Sequence, residues 1–236
     1  MKLRLPGPAG RGFAIAAAAL ALFFTACAPR ATTPGAAPAA GGAPSAQSSA
    51  SPPVPAATGI QRYPARSSAQ LPPIAVPEWP TVIPGYTQLD PATGLHMTGE
   101  PVRIDIASYR LKVTGKVRHP LSLSYDELRM LPGIRSRATT ICRGYFEDNA
   151  VWGGASLDEL LRLADPLSSA KDLELRGADG YSSTVTLAEA RAGDNYLAYE
   201  LAGKPVPVLQ GFPLRAVFPS LLGNRWVKWL LEIKVE

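Results

Sequence analysis

Ile141-Cys142-Arg143-Gly144, followed by Asn149-Ala150-Val151-Trp152-Gly153-Gly154, carries a cysteine that has no partner elsewhere in the chain. The 236 residues hold two cysteines. The other, Cys27, ends an apolar leader, where lipid attachment would use it. Exported proteins usually pair their cysteines as disulfides, and one left over marks a reactive thiol or a ligand. Cys142 is therefore buried and inert, joined to another chain, or bound to something.

Outward from this run, Arg135 to Cys142 reads as a strand entering the Cys142 loop. Ser156 and Glu159 form a capping-box pattern ahead of Leu157, Leu160, Leu161 and Leu163, and Asp165-Pro166 ends that helix. Ser124 and Glu127 predict a short helix through Leu131, stopped by Pro132-Gly133. Tyr109 to Thr114 alternates apolar and polar residues, the mark of a half-buried strand. Leu173–Leu175 and Tyr181–Val185 flank the turn at Ala178-Asp179-Gly180 and read as a hairpin. Thr186 and Glu189 cap one more helical turn. Further strands are expected at Tyr196–Leu201, Leu214–Phe218 and Val227–Val235. Strands outnumber the short helices, so the fold class is α+β with mixed sheets.

Lys2, Arg4 and Arg11 precede an apolar run from Phe13 to Phe24, and Thr25-Ala26-Cys27 follows. This is the layout of a secretory signal, and the run is too short for a spanning helix. The Phe24-Thr25-Ala26-Cys27 end resembles a bacterial lipobox, so residues 1–27 are expected to be a signal peptide with lipid attachment at Cys27. The expected location is the cell envelope, as an exported membrane-anchored lipoprotein. Residues 28–80 are dominated by Ala, Pro, Ser, Gly and Thr and are expected to form a disordered tether. Residues 81–236 suffice for one domain with a core of its own. Three of the 24 basic residues lie in the leader, leaving 21 against 19 acidic ones. That balance does not suggest nucleic-acid binding.

Two histidines and two cysteines do not supply a zinc cluster of usual spacing. No Gly-rich strand-to-helix turn marks a nucleotide site, and no G-x-S-x-G marks a hydrolase. His119, before Pro120, reads as a turn residue. His96, in Thr93-Gly94-Leu95-His96-Met97-Thr98-Gly99, lies between glycines, where a side chain or backbone can approach a ligand.

The Cys142 run, together with Gly211-Phe212-Pro213-Leu214-Arg215 and Gly223-Asn224-Arg225-Trp226-Val227-Lys228-Trp229-Leu230, resembles the molybdopterin-binding domain of the sulfite oxidase family. Asp179-Gly180-Tyr181, Leu197-Ala198-Tyr199-Glu200 and Gly203-Lys204-Pro205 match as well, in the expected order over about residues 100–236. The resemblance implies a sulfite-oxidase-type molybdopterin-binding fold and a molybdenum-molybdopterin cofactor, with Cys142 as the metal's thiolate ligand. A soft anionic sulfur suits such a metal. It further implies that Arg215 and Lys228 contact the phosphate arm, through a bidentate fork and a compact charge respectively. The backbone of Trp226 and Val227 would line the pterin. Gln210 stands where relatives have His or Asn, and still offers a donor and an acceptor. Arg143, beside the metal ligand, either neutralises an oxyanion substrate or is a solvated loop cation, and Arg137 is a weaker candidate for the same task. None of the tyrosines is assigned to the active-site tyrosine of the animal and plant enzymes.

The function implied is a cell-envelope oxidoreductase moving an oxygen atom or two electrons on a small oxyanion or sulfoxide. Neither the immunoglobulin-like dimerisation domain of larger members nor a haem motif is present, so a separate cytochrome or quinol-linked electron partner is expected. The alternative is a lipid-tethered binding or scaffold module that keeps the fold without metal. The leader has one arginine, Arg11, where folded export uses a pair, which favours unfolded export or an atypical signal.

Overall fold

The computed structural model describes residues 57–236. The expected signal peptide, Cys27 and the tether up to residue 56 lie outside the described residues. The elements in chain order are β1 (Thr58–Tyr63), β2 (Leu89–Asp90), β3 (Leu95–His96), β4 (Leu111–Gly115), β5 (Leu121–Leu123), α1 (Tyr125–Met130), β6 (Gly133–Cys142) and β7 (Phe146–Ser156). There follow α2 (Leu157–Ala164), β8 (Asp172–Gly177), β9 (Ser182–Thr186), α3 (Leu187–Arg191), β10 (Tyr196–Leu201), β11 (Lys204–Pro205), β12 (Arg215–Val217) and β13 (Leu230–Val235). Among the described residues no helix is long and apolar enough to cross a membrane.

Each short helix starts where its cap is written. The Ser124 hydroxyl accepts from the Glu127 amide at 3.3 Å, and the Glu127 carboxylate accepts from the Ser124 amide at 2.7 Å. Thr186 and Glu189 repeat the arrangement at α3. Such a cap is worth about 1 kcal/mol. In α2, Leu157, Leu160, Leu161 and Ala164 are fully buried, the i, i+3, i+4, i+7 spacing of one helix face.

Two main sheets share the core. The first runs β1-β6-β7-β10-β11, with β12 also paired to β10, and is antiparallel throughout. The second runs β5-β4-β13-β8-β9, with a parallel pair at β4 and β13. β2 and β3 form a separate two-stranded ribbon. The expected α+β class with mixed sheets is what the chain adopts.

Three expectations are corrected. The tether was placed through residue 80, but Thr58–Tyr63 pairs antiparallel with β6. Its side chains are almost all exposed, so the strand is held by backbone bonds and leaves no hydrophobic pattern. The first core strand begins at Leu111 rather than Tyr109, which is buried and donates its hydroxyl to the Leu230 carbonyl at 2.7 Å. The last strand begins at Leu230, not Val227. Trp229 has φ +48°, a left-handed conformation costing roughly 1–2 kcal/mol for an L-residue, and it turns the chain before the strand starts. Complete burial of Trp229 and a 2.9 Å bond from its indole N–H to the Val208 carbonyl hold that turn.

Candidate functional site

Cys142 ends β6, and β7 returns after the turn Arg143-Gly144-Tyr145. The Tyr145 amide donates to the Cys142 carbonyl at 3.0 Å. Gly144 has φ +80° at the third turn position, a conformation glycine adopts without strain. The hairpin sets Thr140 opposite Asp148 and Cys142 opposite Phe146. One small cavity, about 20 Å³, is lined by His96, Thr140, Cys142, Phe146, Asp148 and Trp152, and also by Gln210, Arg215, Gly223, Trp226 and Lys228. A wider one, about 310 Å³, shares Thr98, Cys142, Gly223, Trp226 and Lys228 with it and continues along Tyr86, Asp179, Tyr181 and Trp229. Gly223 belongs there because a Cβ would stand 2.8 Å from the Cys142 sulfur.

Arg215 and Lys228 are 3% and 7% exposed. Arg215 Nη1 donates to the Gln210 carbonyl at 3.2 Å and to its Oε1 at 3.3 Å. Its guanidinium lies 4.4 Å from the Trp152 ring centroid and 5.7 Å from that of Trp226. Lys228 Nζ donates to the Thr98 and Leu209 carbonyls at 3.1 and 3.0 Å. Among the described residues neither cation has an ion pair. Arg215 Nε and Gln210 Nε2 have no hydrogen-bond partner at all. Burial therefore pushes the Arg215 guanidinium down to about 10 and the Lys228 amine well below its ordinary value, with the neighbouring Arg215 charge adding to the effect on Lys228. Burial likewise raises the Cys142 thiol, as does Asp148, while Arg215 and Lys228 oppose them.

The expected residues mostly converge. Cys142, Gln210, Arg215, Trp226, Lys228 and His96 line one cavity. Val227 does not: its side chain is fully buried in the core, its amide donates to the Arg225 carbonyl, and its own carbonyl accepts from the Ala216 amide. Arg143 is exposed in the turn and lines neither cavity. Arg137 donates to the Asn149 side chain at 3.0 Å. Asp148 was missed, as were Phe146 and Gly223 as lining residues. Only the β6–β7 register, a long pairing not visible in local composition, brings Asp148 to the site.

A family model described as the oxidoreductase molybdopterin binding domain matches residues 97–236. The chain belongs to that family. It is 30% identical to an uncharacterized oxidoreductase of Bacillus subtilis, YuiH, over 59% of this chain and 71% of the relative. It is 32% identical to the sulfite oxidase of Arabidopsis thaliana, over 57% of this chain and 44% of that enzyme. A putative protein-methionine-sulfoxide reductase subunit of Azospira oryzae, YedZ1, is 29% identical over 56% of this chain and 50% of the relative. The chain thus spans about half the length of the latter two. The crystal structure of the sulfane dehydrogenase SoxCD from Paracoccus pantotrophus superposes with a TM-score of 0.55 at 21% identity, over 71% of this chain and 56% of that one. The fold is accordingly the sulfite-oxidase-type molybdopterin-binding fold, and the cofactor is molybdenum-molybdopterin.

The residues fit such a group. Two desolvated cations with no ion pair among the described residues call for an anion, and the orphaned Arg215 Nε and Gln210 Nε2 are donors facing the same need. Cys142, the free thiol among the described residues, lines the same cavity, and a soft sulfur of this kind suits such a metal.

Proposed function

We propose that the chain is a cell-envelope oxidoreductase that moves an oxygen atom, or two electrons, on a small oxyanion or sulfoxide. The observation that carries this reading is the convergence of Cys142 with the unpaired buried cations Arg215 and Lys228 on one cavity. In it, Cys142 ligates the metal. Arg215, Lys228 and Gln210 hold the phosphate arm, and His96 and Trp226 contact the rest of the cofactor. When bound, the cofactor supplies the two-electron chemistry. The protein's part would be to bind it through Cys142, Arg215, Lys228 and Gln210 and to shield the charged arm from water. Arg143 stands exposed in the turn after Cys142 and meets the substrate from outside. A sulfite oxidase and a sulfoxide reductase subunit among the relatives support the two substrate classes. A separate cytochrome or quinol-linked protein exchanges the electrons, and Cys27 carries a lipid that keeps the domain at the membrane.

The deciding experiment is metal and pterin analysis of wild-type protein and Cys142→Ala, made in a host that synthesises the cofactor. Wild type should carry molybdenum near one per chain, and the variant should lose the metal-centred spectrum. Wild type without molybdenum, or an unchanged spectrum in the variant, refutes the assignment.

A further inference from the structure

Asp148 grips His96 at two points. Its Oδ2 accepts from the His96 backbone amide at 2.7 Å, and its Oδ1 meets the ring Nδ1 at 2.7 Å. The ring also lies flat on Phe146, with centroids 4.4 Å apart and planes at 9°. An ionised carboxylate only accepts hydrogen bonds, so Nδ1 carries the proton and Nε2 is the ring's remaining hydrogen-bonding atom. Both residues line the cavity that holds Cys142, Gln210, Arg215 and Lys228. Phe146 and Asp148 stand two residues apart on β7, so both reach the same face of the hairpin.

We infer that Asp148 is a positioning residue of the cofactor site, clamping the His96 imidazole so that Nε2 is the atom offered to bound molybdopterin. The inference rests on the proposed contact between His96 and the cofactor. A histidine ring free to rotate would present either nitrogen and lose entropy on binding. A ring held by a carboxylate and an aromatic face has one orientation and one tautomer before the cofactor arrives. Outer partners of this kind are typically worth 10-fold or more to the group they orient.

The test is a mutant cycle in a cofactor-producing host: wild type, Asp148→Ala, Asp148→Asn, His96→Ala and the two doubles. Pterin and molybdenum retention is measured after gel filtration, beside nitrogen NMR of the imidazoles. The chain has two histidines, so the His96 signal is assigned by its loss in His96→Ala. Wild type should show the Nδ1-protonated tautomer, and Asp148→Ala should lose it together with about 10-fold of cofactor retention. Asp148→Asn keeps one acceptor and should retain more. If Asp148→Ala does not fold, the asparagine variant and its double carry the cycle. Each double should lose no more than His96→Ala alone, because Asp148 acts through that ring. Loaded wild type with additive losses, or an unchanged His96 tautomer in Asp148→Ala, overturns this inference alone. Wild type without molybdenum overturns the cofactor contact and this inference with it.

Discussion

Lys228 shows at the scale of one residue what the site trades for binding. Its amine is nearly fully buried, satisfied only by two carbonyls, with Arg215 adding repulsion. Burial disfavours the charged form, so the folded chain holds this proton less tightly than the unfolded chain. Between the depressed folded value and the ordinary one, the unfolded state binds more protons, and stability rises with pH. The cofactor-free wild type should therefore gain thermal stability relative to Lys228→Met as pH rises from 7 toward 10. At pH 7 the methionine variant should melt higher than wild type, since it removes an uncompensated buried charge while keeping the stem's packing. The same variant should hold less pterin, because the anion that offsets that charge has lost a partner. Melting curves beside pterin assays read both. A methionine variant that melts lower at pH 7, or that keeps full pterin, contradicts this account of Lys228.

β7 is where the elements are most sensitive to a single atom. It pairs with β6 on one side and β10 on the other, and Gly154 lies opposite Ala198. A Cβ at Gly154 would fall 1.9 Å from the Leu197 carbonyl oxygen and 2.5 Å from the Ala198 Cα, both backbone atoms that no rotamer change can move. Gly154→Ala should cost about 3 kcal/mol or more by forcing the strands apart. Gly153→Ala meets the Glu200 side chain at 3.1 Å, which can swing away, and should cost roughly 1 kcal/mol or less. Denaturant midpoints of the two variants check the contrast, and equal losses would refute it. The same strand marks how far the sequence could be read. Capping boxes at Ser124 and Thr186 were legible because their partners lie three residues away. Tyr196–Leu201 was legible because all of its residues but Glu200 are apolar and two are tyrosines. β7 contains Asp148, Asn149, Gly153 and Gly154, poor strand formers, and exists because both neighbours pair with it. Asp148 was invisible as a site residue for that reason, whereas Cys142, Arg215 and Lys228 stood out through motif resemblance. Trp229 hid the start of β13 because a bulky aromatic in a left-handed conformation runs against every local preference.

Across the whole molecule the cavity draws on all three sheets. Cys142, Asp148 and Arg215 come from the six-stranded sheet, Lys228 from the turn that feeds β13 of the five-stranded one, and His96 from the small ribbon. The site therefore forms only when the sheets are docked, and loss at a distant edge reaches it through β6. That strand carries Cys142 at one end and pairs with β1 from Tyr63 opposite Gly133 to Thr58 opposite Arg137. A chain begun at residue 81 lacks β1 and bares that edge, whereas one begun at Ala57 keeps it. Four register pairs at about 0.5–1.5 kcal/mol per hydrogen bond put the loss near 2–6 kcal/mol. The shorter chain should melt lower, expose β6 to aggregation and retain less molybdopterin than the longer one. Both should be soluble where the full chain sediments with membranes, if Cys27 bears the proposed lipid, and Cys27→Ser in the full chain should release it likewise. Fractionation, melting and pterin content of the four proteins separate the two ideas. Equal stability of the truncations would reduce β1 to an incidental strand, while full-length Cys27→Ser that still sediments would remove the anchor and leave the cofactor site untouched.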